Sequence, residues 1–226
     1  MLREITSDLW AIEEPFELMG MKMGARMTVA RRPGGDLFAY APFTISDEDE
    51  AAIREKGEVR DIVAPSPGHY TGVKDFAARF PEATLWILPG LQKKPEGVPY
   101  QLLEEAPESW KDDFDSLLFD GPRVASEWVF CHRASKSLLV TDLSFHLPRP
   151  VTPVNRIAAR LNDVGRRFGP SRIWRTVMKL GDKPLELKHV QTMLGWDFER
   201  IVAAHGFVVE KNPKAQLRSA FRFLGA

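Results

Sequence analysis

Cysteine is almost absent. Cys131 stands alone among 226 residues, so no internal disulfide can form, and its place in the apolar run WVFCHR reads as a buried strand position rather than an activated thiol. A reducing, cytoplasmic setting is the expectation. No stretch approaches the roughly 18 consecutive apolar residues that a membrane helix needs. The opening MLREITSDLW carries Arg3, Glu4 and Asp8 where a secretory signal needs an apolar run, so neither a membrane nor export is expected. Excess charge of one sign is lacking as well: Lys plus Arg and Asp plus Glu both number 31, a net charge of +0, which removes the general pull toward nucleic acid or an anionic surface. Gly68, Gly90 and Gly121 follow no phosphate-binding pattern, and there is no Rossmann fingerprint, nucleophile elbow, internal repeat or low-complexity tract.

What is present is an ordinary globular composition, 44% hydrophobic and 27% charged, in a chain long enough to bury one large core. A single domain over residues 1–226 is expected. The charge is unevenly spread: from Val151 onward fourteen Lys or Arg face six Asp or Glu, so that stretch carries +8 and the first 150 residues −8. A basic groove for an anionic ligand would produce this; packing of oppositely charged halves is the commoner cause.

Short strands are expected at Leu9–Ile12, Met27–Arg31 and Leu37–Tyr40, the last two joined by Pro33-Gly34-Gly35 in an antiparallel meander. Ser46 followed by Asp47, Glu48 and Asp49 reads as a capped helix running to a stop at Gly57. Val59–Ala64 then reads as a buried strand, His69 through Phe80 as a helix and Ala83–Leu88 as a second strand, which makes a βαβ unit. Pro89 to Pro107 is expected as a loop that helps shape a pocket. Further strands are predicted at Ser116–Phe119, Glu127–His132 and Ser137–Asp142, the last two a hairpin about Arg133–Lys136. Beyond Val154, Ile157, Leu161 and Val164 recur at helical spacing up to Gly169-Pro170. Helices follow at Ile173–Met178 and Leu187–Ala203, the latter ended by His205-Gly206. A short strand at Phe207–Val209 and a closing helix at Pro213–Phe223 complete the chain. Trp10, Trp86, Trp128 and Trp196 sit in apolar patterns and read as core, and His132 and His189 as structural.

His69, Asp142 and His205 each fall at the end of a predicted element, and in open α/β sheets ligands gather at strand ends. Two imidazoles and a carboxylate are a chemically sensible donor set for one divalent transition metal, with positions left over for water or substrate. Each alone has a structural explanation, such as capping a helix or bonding a turn amide. Their joint placement carries the reading.

The segments APSPGHYTGVKDFAARFP, SLLVTDLSF and RIVAAHGFVVE, in that order and spacing, resemble the metallo-β-lactamase superfamily. Its pattern runs from a strand through an HxHxDH loop to a helix, then to a TGDxxF-like strand end and a final GHG turn. The LREIT-x-DLW start and the WDF-x-RIV-x-x-HG segment are similar to an uncharacterised branch, a family of domains of unknown function. The resemblance implies an α/β fold, an αββα sandwich of two mixed sheets flanked by helices. It also implies that Ala64, Ser66 and Gly68 stand where the family has two histidines and an aspartate, and that Arg123 falls near the later histidine, so the first of two metal positions is lost. His69, Asp142 and His205 match the second.

The expectation is therefore a hydrolase-like protein holding at most one metal, zinc favoured over iron, that activates water against an ester, thioester or lactone. Tyr70 beside His69 is the candidate proton donor, with Asp142 as the catalytic carboxylate. Arg123 and His146 are candidate contacts to a small-molecule substrate, Arg123 because a guanidinium offers a fixed fork of donors. The alternative is a non-catalytic binding or regulatory protein of the same fold without metal. Oligomeric state is not legible in the residues.

Overall fold

The computed structural model describes residues 1–18, 21–92, 97–120, 126–148, 153–165 and 167–226. Apolar alternation and turn signals make the first half strand-rich: β1 (Arg3–Thr6), β2 (Leu9–Glu14), a short ribbon of β3 (Glu17–Leu18) and β4 (Met21–Lys22), β5 (Ala25–Arg31) and β6 (Leu37–Tyr40). Helix α1 (Asp47–Arg54) starts where Ser46 accepts a hydrogen bond from the Asp49 amide, with four acids in its first turn facing the helix dipole. Then come β7 (Val59–Ala64), α2 (Val73–Arg79), β8 (Thr84–Ile87) and β9 (Gln101–Leu102). These strands form one sheet in the order β1-β2-β5-β6-β7-β8-β9, antiparallel as far as β6 and parallel beyond it.

The second sheet, β10 (Phe114–Phe119), β11 (Glu127–His132), β12 (Ser137–Val140) and β13 (Arg200–Ala203), is antiparallel up to β12, with β13 parallel to it. Period-2 alternation decides which way each side chain points. Trp128 and Phe130 join the core shared with the first sheet, whereas Val129 and Cys131 join a core with α5 (Lys183–Gly195) and α6 (Pro213–Ala220). Phe38 of the first sheet meets Phe114 and Phe130 of the second at ring separations of 4.5 and 5.2 Å, locking the two layers face to face. Helices α1 and α2 contribute Ile53 and Phe76 to the same core. The outcome is the expected αββα sandwich, completed by α3 (Pro153–Asn162) and α4 (Arg172–Met178). Among the described residues no helix is long and apolar enough to cross a membrane.

Several elements depart from the sequence reading. The helix expected from His69 begins only at Val73, because Gly72 lies against the Phe43–Thr44 backbone: a Cβ there would sit 2.2 Å from the Thr44 nitrogen. His69 is thus left in a turn over the sheet edge. The helix expected over Leu187–Ala203 stops at Gly195, and Arg200–Ala203 is β13, whose residues are buried between two layers. Phe207–Val209 forms isolated bridges rather than a strand. The closing helix ends at Ala220, followed by a 3-10 turn at Arg222–Leu224. The stripe on α3 faces outward: Ile157 and Leu161 are each 62% exposed, and Ala159 with Val164 packs inward against Met23 and Leu147 instead.

Glu186, in the first turn of α5, is fully buried, and neither carboxylate oxygen has a hydrogen-bond partner among the described residues. Burial pushes its carboxyl up to about 7, with the charge of Asp182 adding to the effect. A folded-state value above the unfolded one means that ionising Glu186 disfavours folding, a cost that begins above the ordinary glutamate range and is complete above pH 7. Glu186→Gln is therefore expected to leave stability near unchanged at pH 4.5 and to raise it by about 2–3 kcal/mol at pH 8, as read from urea unfolding at the two pH values.

Candidate metal centre

Parallel pairing of β12 and β13 puts Val140 opposite Ala203, so residues two positions beyond each strand emerge at the same sheet edge. Those residues are Asp142 and His205. The turn after β7 brings His69 to the same place from the other sheet. Its Nε2 lies 3.5 Å from Asp142 Oδ1, and His205 Nε2 lies 3.6 Å from that same oxygen. One ligand atom from each of the three residues falls within 4.8 Å of the others, which makes this the one such His/Cys/Asp/Glu group among the described residues. Burial pushes the Asp142 carboxyl up, but the two imidazoles facing it outweigh burial and hold it well below the usual carboxylate range.

Each member is held by neighbours. His205 Nδ1 donates to the Gly24 carbonyl at 2.6 Å, which orients the ring so that Nε2 faces Asp142. The Phe16 and Phe145 rings pack on the same imidazole. Arg26, 5% exposed, donates to the carbonyls of Ala203 and Gly206 on either side of His205 and pairs with Glu13 through Nε and Nη2. Gly206 has φ +85°, and a Cβ there would lie 2.1 Å from the His146 carbonyl oxygen.

Asp142 is gripped from below. Glu127, 1% exposed, accepts from the amides of Thr141 and Leu143 at 2.8 and 2.7 Å and from the Thr141 hydroxyl at 2.8 Å. Burial pushes the Glu127 carboxyl up to about 7 despite those donors. The Ser66 hydroxyl, 3.1 Å from the Thr141 oxygen whose own proton goes to Glu127, donates to it. The Asp142 carboxylate also lies directly over Gly68, where a Cβ would be 2.3 Å from Oδ2. No side chain larger than hydrogen fits at that position unless Asp142 moves.

Of the residues singled out in the sequence, His69, Asp142 and His205 come together, and Tyr70 lines the same cleft. His146 does not line it; its ring stands edge-on to Phe207 and its backbone bonds His205 and Phe207. Arg123 lies outside the described residues. The described part of Pro89–Pro107 does not line the cleft either, being drawn to the sheet edge by β9. Burial pushes the Cys131 thiol up to about 12, which removes it as a nucleophile. His132 is buried between the Arg31 carbonyl and the Ser135 hydroxyl, a structural role. Sequence reasoning missed Arg26 and Glu127. The signal was there in both cases: a charged residue inside or heading an otherwise apolar strand, ARMTVAR and EWVFCH.

The donor set fits a divalent cation. At 3.5 and 3.6 Å the imidazole–carboxylate separations exceed those of good hydrogen bonds, and both Nε2 atoms converge on one carboxylate oxygen. Two ring nitrogens and the carboxylate oxygen they share face one gap, the arrangement a divalent cation bound by two imidazoles and a carboxylate requires.

Residues 6–168 match the family described as Domain of unknown function (DUF4336). No curated protein matches the sequence. Among solved structures, a metallo-β-lactamase from Pontibacter korlensis is 12% identical with a TM-score of 0.64, covering 100% of this chain and 98% of that one. The metallo-β-lactamase FIM-1 from Pseudomonas aeruginosa, in its mono-zinc form, is 13% identical with a TM-score of 0.57 over 99% of this chain and 96% of that one. The metal-soaked Flv1 flavodiiron core from Synechocystis sp. PCC6803 is 10% identical with a TM-score of 0.65; all of this chain aligns, and it spans 60% of that chain. These likenesses establish the metallo-β-lactamase fold.

Proposed function

This chain belongs to the DUF4336 family, and on that premise we propose that it is a hydrolase working with one divalent metal, zinc before iron, on an ester, thioester or lactone. The observation that carries the reading is the convergence of His69, Asp142 and His205, with donor atoms within 4.8 Å of one another at the floor of a cleft. The mono-zinc form in which the Pseudomonas relative is described supports a stoichiometry of one. A cation held there supplies Lewis acidity to a carbonyl or a water molecule, bringing the water's pKa toward neutrality.

The protein's own groups do the rest. Asp142, kept ionised by its two imidazole neighbours, presents one oxygen to both of them, while the Gly24 carbonyl keeps His205 Nε2 facing inward. Water adds at the carbonyl carbon and releases a proton, the bond to the departing oxygen or sulfur breaks, and that atom takes up a proton from a donor that the water's released proton then restores. Tyr70, lining the cleft next to His69, is the donor.

The test is the metal content of freshly purified protein by elemental analysis. Near-stoichiometric zinc or iron is expected in the native chain and only traces in His69→Ala and His205→Ala. A native chain that holds no metal even after incubation with excess zinc would overturn the proposal in favour of a non-catalytic binding protein. One observation favours that second reading: Ser66 is committed to Thr141, and Gly68 offers no ligand, so among the described residues three side chains are all the site supplies.

A further inference from the structure

The cleft above the three ligands has a volume of about 560 Å³, the size of a drug-like ligand. Most of its wall is apolar. Phe43, Met23, Trp174 and Phe145, the last packed on His205, line it together with the solvent-exposed Leu18 and Ile173. Among the described lining residues the only carboxylates are Glu14 and Asp142, and none is Lys or Arg. Leu18 is 48% exposed and Ile173 57%, so the apolar lining continues out to solvent on two elements, the β3–β4 ribbon and α4. A polar substrate would leave these side chains wet and its own groups unpaired against the wall.

We propose that the cleft takes an extended, uncharged acyl chain, its carbonyl at His69, Asp142 and His205 and its tail leaving between Leu18 and Ile173. The placement of the carbonyl rests on the hydrolase reading; the binding of the chain does not. The substrate class is then a hydrophobic acyl ester, thioester or lactone rather than a short or anionic one. Each methylene seated against such a wall adds roughly fourfold to affinity until the cleft is filled.

Two readouts keep the pocket and the hydrolase separable. The first is binding of the neutral fluorophore N-phenyl-1-naphthylamine to full-length protein, and its displacement by methyl decanoate, with Asp142→Asn included. The second is kcat/KM for p-nitrophenyl acetate and p-nitrophenyl decanoate on metal-loaded protein. Leu18→Asp and Ile173→Asp change exposed side chains and leave the core intact. Each is expected to weaken fluorophore binding at least tenfold and to lower the decanoate-to-acetate rate ratio by a similar factor, with Asp142→Asn still binding the fluorophore. Binding retained in a native chain that hydrolyses neither ester would uphold the pocket and remove the hydrolase. Hydrolysis with a flat chain-length profile and unchanged fluorophore binding in Leu18→Asp and Ile173→Asp would overturn the pocket and leave the hydrolase standing. A concentration-dependent dimer that both variants dissociate, with fluorophore binding unaltered, would also overturn it by giving Leu18 and Ile173 to a second copy of the chain.

Discussion

Gly206→Ala is expected to cost about 2–5 kcal/mol of folding stability. Left-handed backbone disfavours a side chain by roughly 1–2 kcal/mol, and an inserted methyl in a filled site adds about 1–3 kcal/mol more. Here both act at once, since Gly206 has φ +85° and its Cβ would meet the His146 carbonyl oxygen at 2.1 Å and the Leu147 nitrogen at 2.9 Å. Neither obstacle is a flexible side-chain end. For a chain of this length the melting temperature should fall by roughly 5–15 °C in scanning calorimetry. His205 is the preceding residue, so the metal site should loosen with it. Gly34→Ala is the control: a Cβ there meets nothing within 4 Å, and its melting temperature is expected to stay where it is. Coincident melting of both variants with the native chain would refute the packing argument.

Arg26→Met is the second large effect, expected to cost about 2–4 kcal/mol and to weaken zinc binding roughly 10- to 100-fold. Methionine keeps most of the stem but removes the donors to the Ala203 and Gly206 carbonyls, which flank His205. Taking one partner from a buried ion pair typically costs about 3–5 kcal/mol; the figure is lower here because Glu13 is 45% exposed and rehydrates. Groups that orient a ligand without touching the metal commonly govern one to two orders of magnitude in affinity. Competition of the protein with a zinc-sensitive dye reads the affinity, and urea unfolding the stability. Arg26→Lys, able to reach one carbonyl but not to span both and Glu13, should fall between the two. A variant that loses stability yet binds zinc as tightly as the native chain would leave Arg26 a structural residue only.

Much of the fold was legible because its elements obey local rules. Ser46 ahead of four acids, the Pro33-Gly34-Gly35 turn and the apolar β7 all form where short-range chemistry puts them. The reading failed where a contact distant in sequence overrides local preference. RIVA extends the helical pattern read from Leu187 onward, yet it becomes β13 because β12 offers an unpaired edge and two cores cover its faces. Ile157 and Leu161 follow helical spacing, yet α3 turns them to solvent, because Ala159 and Val164 fit against Met23 and Leu147.

The same division holds at the site. Residue type and order were enough to choose His69, Asp142 and His205, since two imidazoles and a carboxylate at element ends define a donor set whatever the exact geometry. Convergence on a single carboxylate oxygen depends on the β12–β13 register and on a turn at Gly72 that close backbone packing enforces. The Arg26 clamp and the Glu127 grip join residues 177 and 14 positions apart. Local pattern thus determined the elements and the donor types, because propensity, capping and alternation act over a few residues. Tertiary structure decided which side chains meet and what lines the cleft above them, because burial and hydrogen-bond satisfaction are settled only when distant segments share one core.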